Sequence, residues 1–167
     1  MSFHVRGTVP RVAVFDIDGV LADVRHRLHF LDARPRDWDG FFGAVSGDAV
    51  LTEGLEQVRA AIADGLGVVY LTGRPERCRA DTVQWLASHG VPEGDLVMRV
   101  DADRRPARLT KIGALRRLAS GADVAYVVDD DPEVTAAVSA AGFEARLAEW
   151  MPRSVPLTQA QDVLGRS

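Results

Sequence analysis

Four short segments carry residue types that can do chemistry together. The first is Asp16-Ile17-Asp18-Gly19. Two carboxylates at i and i+2 share one pocket if the chain turns after them, and Gly19 permits the turn. The second is Thr72-Gly73-Arg74-Pro75, a hydroxyl and a glycine ahead of a proline suited to the first turn of a helix. Unpaired N–H groups and a helix dipole would make that place a phosphate seat. The third is Lys111, an ammonium that can neutralise phosphate charge. The fourth is Asp129-Asp130-Asp131-Pro132, three carboxylates that repel one another unless a cation or solvent relieves them. Hard oxygen ligands of this kind suit Mg²⁺. Asp131 also fits the first turn of the helix that Pro132 opens, where the dipole favours an acid.

Composition sharpens one of these. Of 20 basic residues, Lys111 is the only lysine, a pattern that a GC-rich coding bias produces. A lysine retained under such a bias marks a place where a compact ammonium is needed and a planar guanidinium does not fit.

The elements that must position these residues are legible as apolar runs. Arg11–Phe15 ends at Asp16, Gly67–Leu71 at Thr72, Val124–Val128 at Asp129; weaker runs are Asp95–Val100 and Phe143–Leu147. Between them, helical spacing appears at Leu55, Val58, Ala61 and Ile62, from Pro75 through Val83, Leu86 and Ala87 towards Gly90, at Ile112, Leu115 and Leu118, and from Val134 to Ala141. The alternation predicts an α/β fold, a Rossmann-like parallel sheet with helices on both faces. Right-handed crossovers then bring the carboxyl ends of all strands to one edge, where ligands bind in such sheets.

The 167 residues suit one domain over 1–167, with Leu21–Thr52 as a minimal helical insertion over the site. The balance of 47% hydrophobic and 26% charged residues is that of a globular chain without a membrane span. The single cysteine, Cys78, excludes an intrachain disulfide and, with no apolar leader in Met1–Pro10, predicts a cytoplasmic protein. A net charge of −4 argues against broad nucleic-acid binding but leaves room for a local basic patch such as Arg104, Arg105 and Arg108. Trp38, Phe41 and Phe42 read as the apolar face of a short helix, with base stacking as the alternative; His26 and His29 are poor metal candidates beside an oxygen-rich site.

The order Asp-x-Asp-Gly, Thr-Gly-Arg, Lys, Asp-Asp resembles the haloacid dehalogenase (HAD) superfamily from Arg11 to about Leu147. A phosphoacceptor receiver domain uses similar residues, but its acceptor aspartate follows an acidic pair and lies mid-chain. The HAD resemblance implies Asp16 as nucleophile, Asp18 as general acid and base, and Thr72 and Lys111 as phosphate-holding groups. It implies Mg²⁺ held by Asp16, Asp129, Asp130 and the backbone carbonyl of Asp18; the short gaps Leu21–Thr52 and Arg99–Thr110, where such enzymes carry their caps, leave room for little or no cap. Arg27, Thr72-Gly73-Arg74, Thr82-Val83-Gln84-Trp85-Leu86, Leu96-Val97-Met98-Arg99 and Asp103-Arg104-Arg105 resemble, more narrowly, the 3′-phosphatase domain of phage-type polynucleotide kinase. That resemblance implies a phosphorylated substrate, a polynucleotide 3′-phosphate or a nucleotide, contacted or framed by Arg27, Gly73, Arg74 and Arg104. The sequence departs from it at Ala107 and Arg108, where an acid is usual, and at Asp131, where a base is usual. A small-molecule phosphatase with Arg25–Val45 as a lid, and a non-catalytic module of the same fold, are the other readings.

Overall fold

The computed structural model describes residues 8–152. Strands β1 (Arg11–Phe15), β4 (Gly67–Pro75), β5 (Asp95–Arg99), β6 (Asp123–Asp129) and β7 (Ala145–Leu147) form one sheet in the order β5-β4-β1-β6-β7, every pair parallel. A short antiparallel pair, β2 (Ala22–Asp23) and β3 (Ala49–Val50), lies outside it. Six helices complete the described chain: α1 (His29–Asp32), α2 (Trp38–Gly43), α3 (Thr52–Ala63), α4 (Arg79–Ser88), α5 (Ala107–Ala119) and α6 (Pro132–Ala140).

The period-two geometry of a strand sends successive side chains to opposite faces. Ala13, Phe15, Tyr70 and Val128 therefore pack with Val58 and Ala61 of α3 and Trp85 and Leu86 of α4. Val12, Val14, Val69, Leu71 and Val127 pack the other way, against Ala114 and Leu115 of α5 and Val134 and Val138 of α6. Covering both faces is why the strands read as continuous apolar runs rather than alternating ones. From central β1 the chain builds outward through β4 and β5, then returns to build β6 and β7 on the other side. The reversal opens a crevice above the carboxyl end of β1, where Asp16 sits.

The Leu21–Thr52 insertion contains β2, α1, α2, β3 and two single 3₁₀ turns. A third apolar cluster, including Val24, Leu31, Phe41, Phe42, Cys78, Met98 and Met151, seats it on the sheet edge. Phe41 and Phe42 are core residues here, as the short-helix reading expected. The chain after β7 returns to this region: Ala148 N–H donates to the Asp129 carbonyl at 2.8 Å, and Trp150 Nε1 to the Val20 carbonyl at 2.9 Å.

One local expectation fails. Pro75 does not start a helix; it ends β4, and a 3₁₀ turn (Glu76–Cys78) precedes α4 at Arg79. Leu71 pairs with Val97 and Pro75 with Arg99, so β4 runs four residues against two and Thr72-Gly73-Arg74 bulge from the ladder. Val83, placed by spacing on the buried face of that helix, is half exposed.

Candidate active site

The carboxyl ends of β1 and β6 are locked side by side, the Asp16 N–H donating to the Val128 carbonyl at 2.9 Å. Asp16 Oδ1 accepts from the Ile17 N–H at 2.8 Å, which fixes its rotamer and leaves Oδ2 facing Lys111 Nζ at 3.0 Å. Lys111 comes from the second turn of α5 and also reaches Asp129 Oδ2 at 2.6 Å. Asp129 Oδ1 is held in turn by the Asp131 N–H at 2.9 Å. Asp131 caps α6 through the Glu133 N–H, the helix-start role its position suggested. Gly19 adopts φ +81, and a Cβ there would overlap the Asp130 carboxylate, so the Asp-x-Asp turn and the acidic pair pack directly on one another.

Asp16, Asp129 and Asp130, all buried, offer oxygens within 4.8 Å of one another. Three carboxylates against one ammonium leave a formal charge of −2 in a buried pocket, which is costly unless a proton or a cation relieves it. The proton route is visible: burial pushes the Asp16 carboxyl well above its ordinary range, Lys111 pulls it back, and Asp129, Asp130 and Asp18 push it up again. Burial acts against the charge on Lys111, but Asp129 and Asp16 overcome it and hold the ammonium firmly charged. The cation route fits equally well, since an all-oxygen set of carboxylates suits a hard divalent ion. The Asp18 side chain is not part of this trio.

The Thr72 segment differs from the expected helix N-terminus. Thr72 Oγ1 accepts from the Arg74 N–H at 3.1 Å, which leaves its own proton to donate. The bulge is stapled by Arg99, 3% exposed, whose Nε donates to the Gly73 carbonyl at 3.2 Å. Nη1 of Arg99 donates to the Arg105 carbonyl at 2.9 Å and to Thr110 Oγ1 at 3.3 Å. One buried guanidinium thus ties Thr72-Gly73-Arg74 to the turn of α5 that carries Lys111.

Arg27 and Arg74 are fully buried and frame the site rather than face solvent. Asp18 Oδ1 receives three N–H donors, from Arg27 Nη2 at 2.9 Å and from Arg74 Nε and Nη2 at 2.9 and 2.6 Å. Asp18 Oδ2 has no hydrogen-bond partner. Burial alone would raise this carboxyl; Arg74 and then Arg27 outweigh it and lower it to about 2. Across the two guanidiniums sits Asp48, accepting from Arg27 Nε at 2.8 Å and from Nη2 of Arg27 and of Arg74, both at 2.9 Å. Its backbone carbonyl takes Trp85 Nε1 at 2.8 Å, and its Oδ1 also meets His26 Nε2 at 2.7 Å.

Sequence reasoning missed Asp48. No motif surrounds it, and only folding back of the insertion gives it partners 21 and 26 residues away. The other candidates fall outside the carboxylate cluster. Arg104 is exposed and donates to the Asp101 carbonyl at 3.2 Å; Arg108 pairs with Glu133 at 3.5 Å. A hollow of about 540 Å³ beside Tyr70, Val83 and Leu96 is roomy but lined by none of the candidate residues.

This geometry has relatives. The fold matches a chain in the structure of a Pnkp1/Rnl/Hen1 complex, with TM-score 0.70 and 21% identity, covering 87% of this chain and 47% of that one. It matches the class C acid phosphatase from Bacillus anthracis with tungstate bound (TM-score 0.59, 15% identity, 78% and 61% coverage). It also matches a haloacid dehalogenase-like hydrolase from Streptococcus pneumoniae (TM-score 0.60, 10% identity, 93% of each chain). The chain therefore spans about half the length of the Pnkp1-complex chain. No match was found among curated proteins. Residues 10–145 match the family described as the polynucleotide kinase PNKP phosphatase domain, a span that holds every candidate site residue. The chain belongs to that family and is a phosphatase of the haloacid dehalogenase type.

Proposed function

We propose that the protein hydrolyses phosphomonoesters with Mg²⁺ through an aspartyl phosphate on Asp16, and that its substrate is a polynucleotide 3′-phosphate or a nucleotide. The observation that carries the reading is the buried contact of Asp16 Oδ2 with Lys111, itself paired to Asp129 beside Asp130. Asp16, Asp129 and Asp130 would hold the ion, which when bound supplies positive charge to the phosphoryl oxygens.

Asp16 Oδ2 attacks phosphorus and the ester oxygen leaves with the bonding pair. The proton for that oxygen passes through Asp18 Oδ2, the one carboxylate oxygen of the Arg-bound pair with no partner. Because Asp18 rests ionised, the proton must arrive with the substrate: a monoester binds as the monoanion, whose remaining proton has a pKa of about 6. The same carboxylate, once it has given the proton up, takes one from water as water attacks the phosphoaspartate, and free phosphate and Asp16 result. Thr72 and Lys111 donate to the transferring group, and Arg27 and Arg74 keep Asp18 in place.

Two observations favour a polymer end over a small metabolite. The insertion is bolted down by the Asp48 ion pairs and the Trp85 contact rather than hinged as a lid. The matched chain of the Pnkp1/Rnl/Hen1 assembly belongs to an RNA repair complex. The test is Asp16→Asn, folded by its melting curve, against p-nitrophenyl phosphate and oligonucleotides phosphorylated at either end. The variant should be inactive on all; turnover within a few fold of the native protein sinks the nucleophile assignment.

A further inference from the structure

Helix α5 lies over β4 and β6, and beside it the end of edge strand β5 borders a groove of about 390 Å³. That volume falls in the range of roughly 300–1,000 Å³ typical of small-ligand sites. Its apolar lining is Leu71, Val97, Met98, Val100 and Ala114, of which only Val97 and the exposed Val100 present much surface. Thr72 and Lys111 also line the groove, so it adjoins the carboxylate site through Lys111, which pairs with Asp16 and Asp129.

Its charge is opposite to that of the chain. The protein carries −4 overall, yet four cations line this groove, Arg99, Arg105, Lys111 and Arg117, against one carboxylate, Asp103. Arg99 and Lys111 are committed to the internal contacts described above. Arg105 and Arg117 are exposed. Arg105 pairs with Asp103 at 2.7 Å, which aims it from the loop before α5. Arg117 has no acidic partner among the described residues. Its Nη1 lies 3.6 Å from the position a Cβ on Gly113 would take, so the side chain runs back along α5 towards Lys111 and the active-site edge. An exposed arginine without an acidic partner, lying along this cationic groove beside Thr72 and Lys111, is placed to meet a second phosphate.

We propose that this groove holds the nucleotide that precedes the terminal phosphate of a single-stranded nucleic acid. Its sugar and base edge lie on Val97 and Val100, and Arg105 and Arg117 grip the next phosphodiester. The proposal rests on the polynucleotide reading above. It adds the path of the strand, across the α5 face and away from the insertion.

The experiment compares Arg117→Glu, Arg105→Ala and the double variant with the native protein. Substrates are a nucleoside 3′-monophosphate, a dinucleotide and an octanucleotide with 3′-phosphate, and p-nitrophenyl phosphate. The native protein should gain in kcat/KM from the mononucleotide to the dinucleotide, where the second phosphate first appears. In Arg117→Glu the ratio of oligonucleotide to p-nitrophenyl phosphate kcat/KM should drop at least tenfold, mostly through KM, and the gain should vanish. The salt dependence of the oligonucleotide KM should flatten by about 0.7 in log–log slope for each phosphate no longer neutralised. Arg117→Ala, a milder change at an exposed helical position, covers any folding defect of the charge reversal. Native enzyme active on oligonucleotides together with an Arg117→Glu ratio within twofold overturns the groove alone. Native enzyme that cleaves p-nitrophenyl phosphate but no oligonucleotide overturns the polynucleotide reading and the groove with it.

Discussion

Replacing Asp48 by asparagine removes one charge from a sealed group of four. Arg27, Arg74, Asp18 and Asp48 are each no more than 2% exposed and sum to zero charge. The Asp48→Asn variant leaves a net positive charge in that group, and the amide oxygen must serve donors that two carboxylate oxygens now share. Breaking a buried ion pair from one side costs about 3–5 kcal/mol, because the partner is left buried and uncompensated. For a domain of this size each kcal/mol moves Tm by roughly 2–4 °C, so thermal unfolding should fall by about 6–20 °C. The measurement is calorimetric or circular-dichroism melting, extended to Arg27→Met and to the double variant. The double substitution restores neutrality by leaving Arg74 with Asp18, so its loss should be smaller than the sum of the singles by about 1–3 kcal/mol. A single-variant shift under 2 °C, or strict additivity, would refute the view of these residues as one charge-balanced unit.

Three further outcomes follow from the site. Lys111→Arg keeps the charge but forces a planar fork into the buried space between Asp16 and Asp129; single-turnover rates should drop a hundredfold or more, about 3 kcal/mol, with the fold intact. Chelation should abolish turnover and Mg²⁺ should restore it; at 100 times its dissociation constant, the ion should stabilise the native protein by about 2.7 kcal/mol in melting curves, and Asp130→Asn should shrink that gain. If the leaving-group proton arrives with the substrate, kcat/KM should decline above about pH 6 as the monoanion disappears; a rate flat from pH 5 to 8 would mean that Asp18 is protonated independently.

The sheet and the carboxylate site were legible because each depends on local pattern. Apolar runs ending at Asp16, Thr72 and Asp129 mark strands whose ends must converge, and the structure brings those ends together. The lone lysine proved to be a buried ion-pair partner rather than a surface survivor. What failed depends on non-local detail. Pro75 carries the signal of a helix start, but the Arg99 contact to the Gly73 carbonyl and the pairing of Pro75 with Arg99 hold the segment as a strand bulge. Whether Arg27 and Arg74 contact the phosphate or frame the site could not be read from the sequence, because an arginine's partner is not legible from its neighbours. Only the folded insertion, carrying Asp48 to them, shows that both are already engaged.

The return of the chain after β7 bears on where this catalytic unit can be cut. The family match stops at residue 145, yet Ala148 is hydrogen-bonded to the strand end that carries Asp129 and Trp150 to the turn that follows Asp18. Met151, 2% exposed, plugs the cluster that seats the insertion. A boundary drawn by homology would keep every reacting group and discard the clasp that joins the two acidic turns. Excision, fusion or transplantation of this phosphatase should therefore keep the chain at least through Met151.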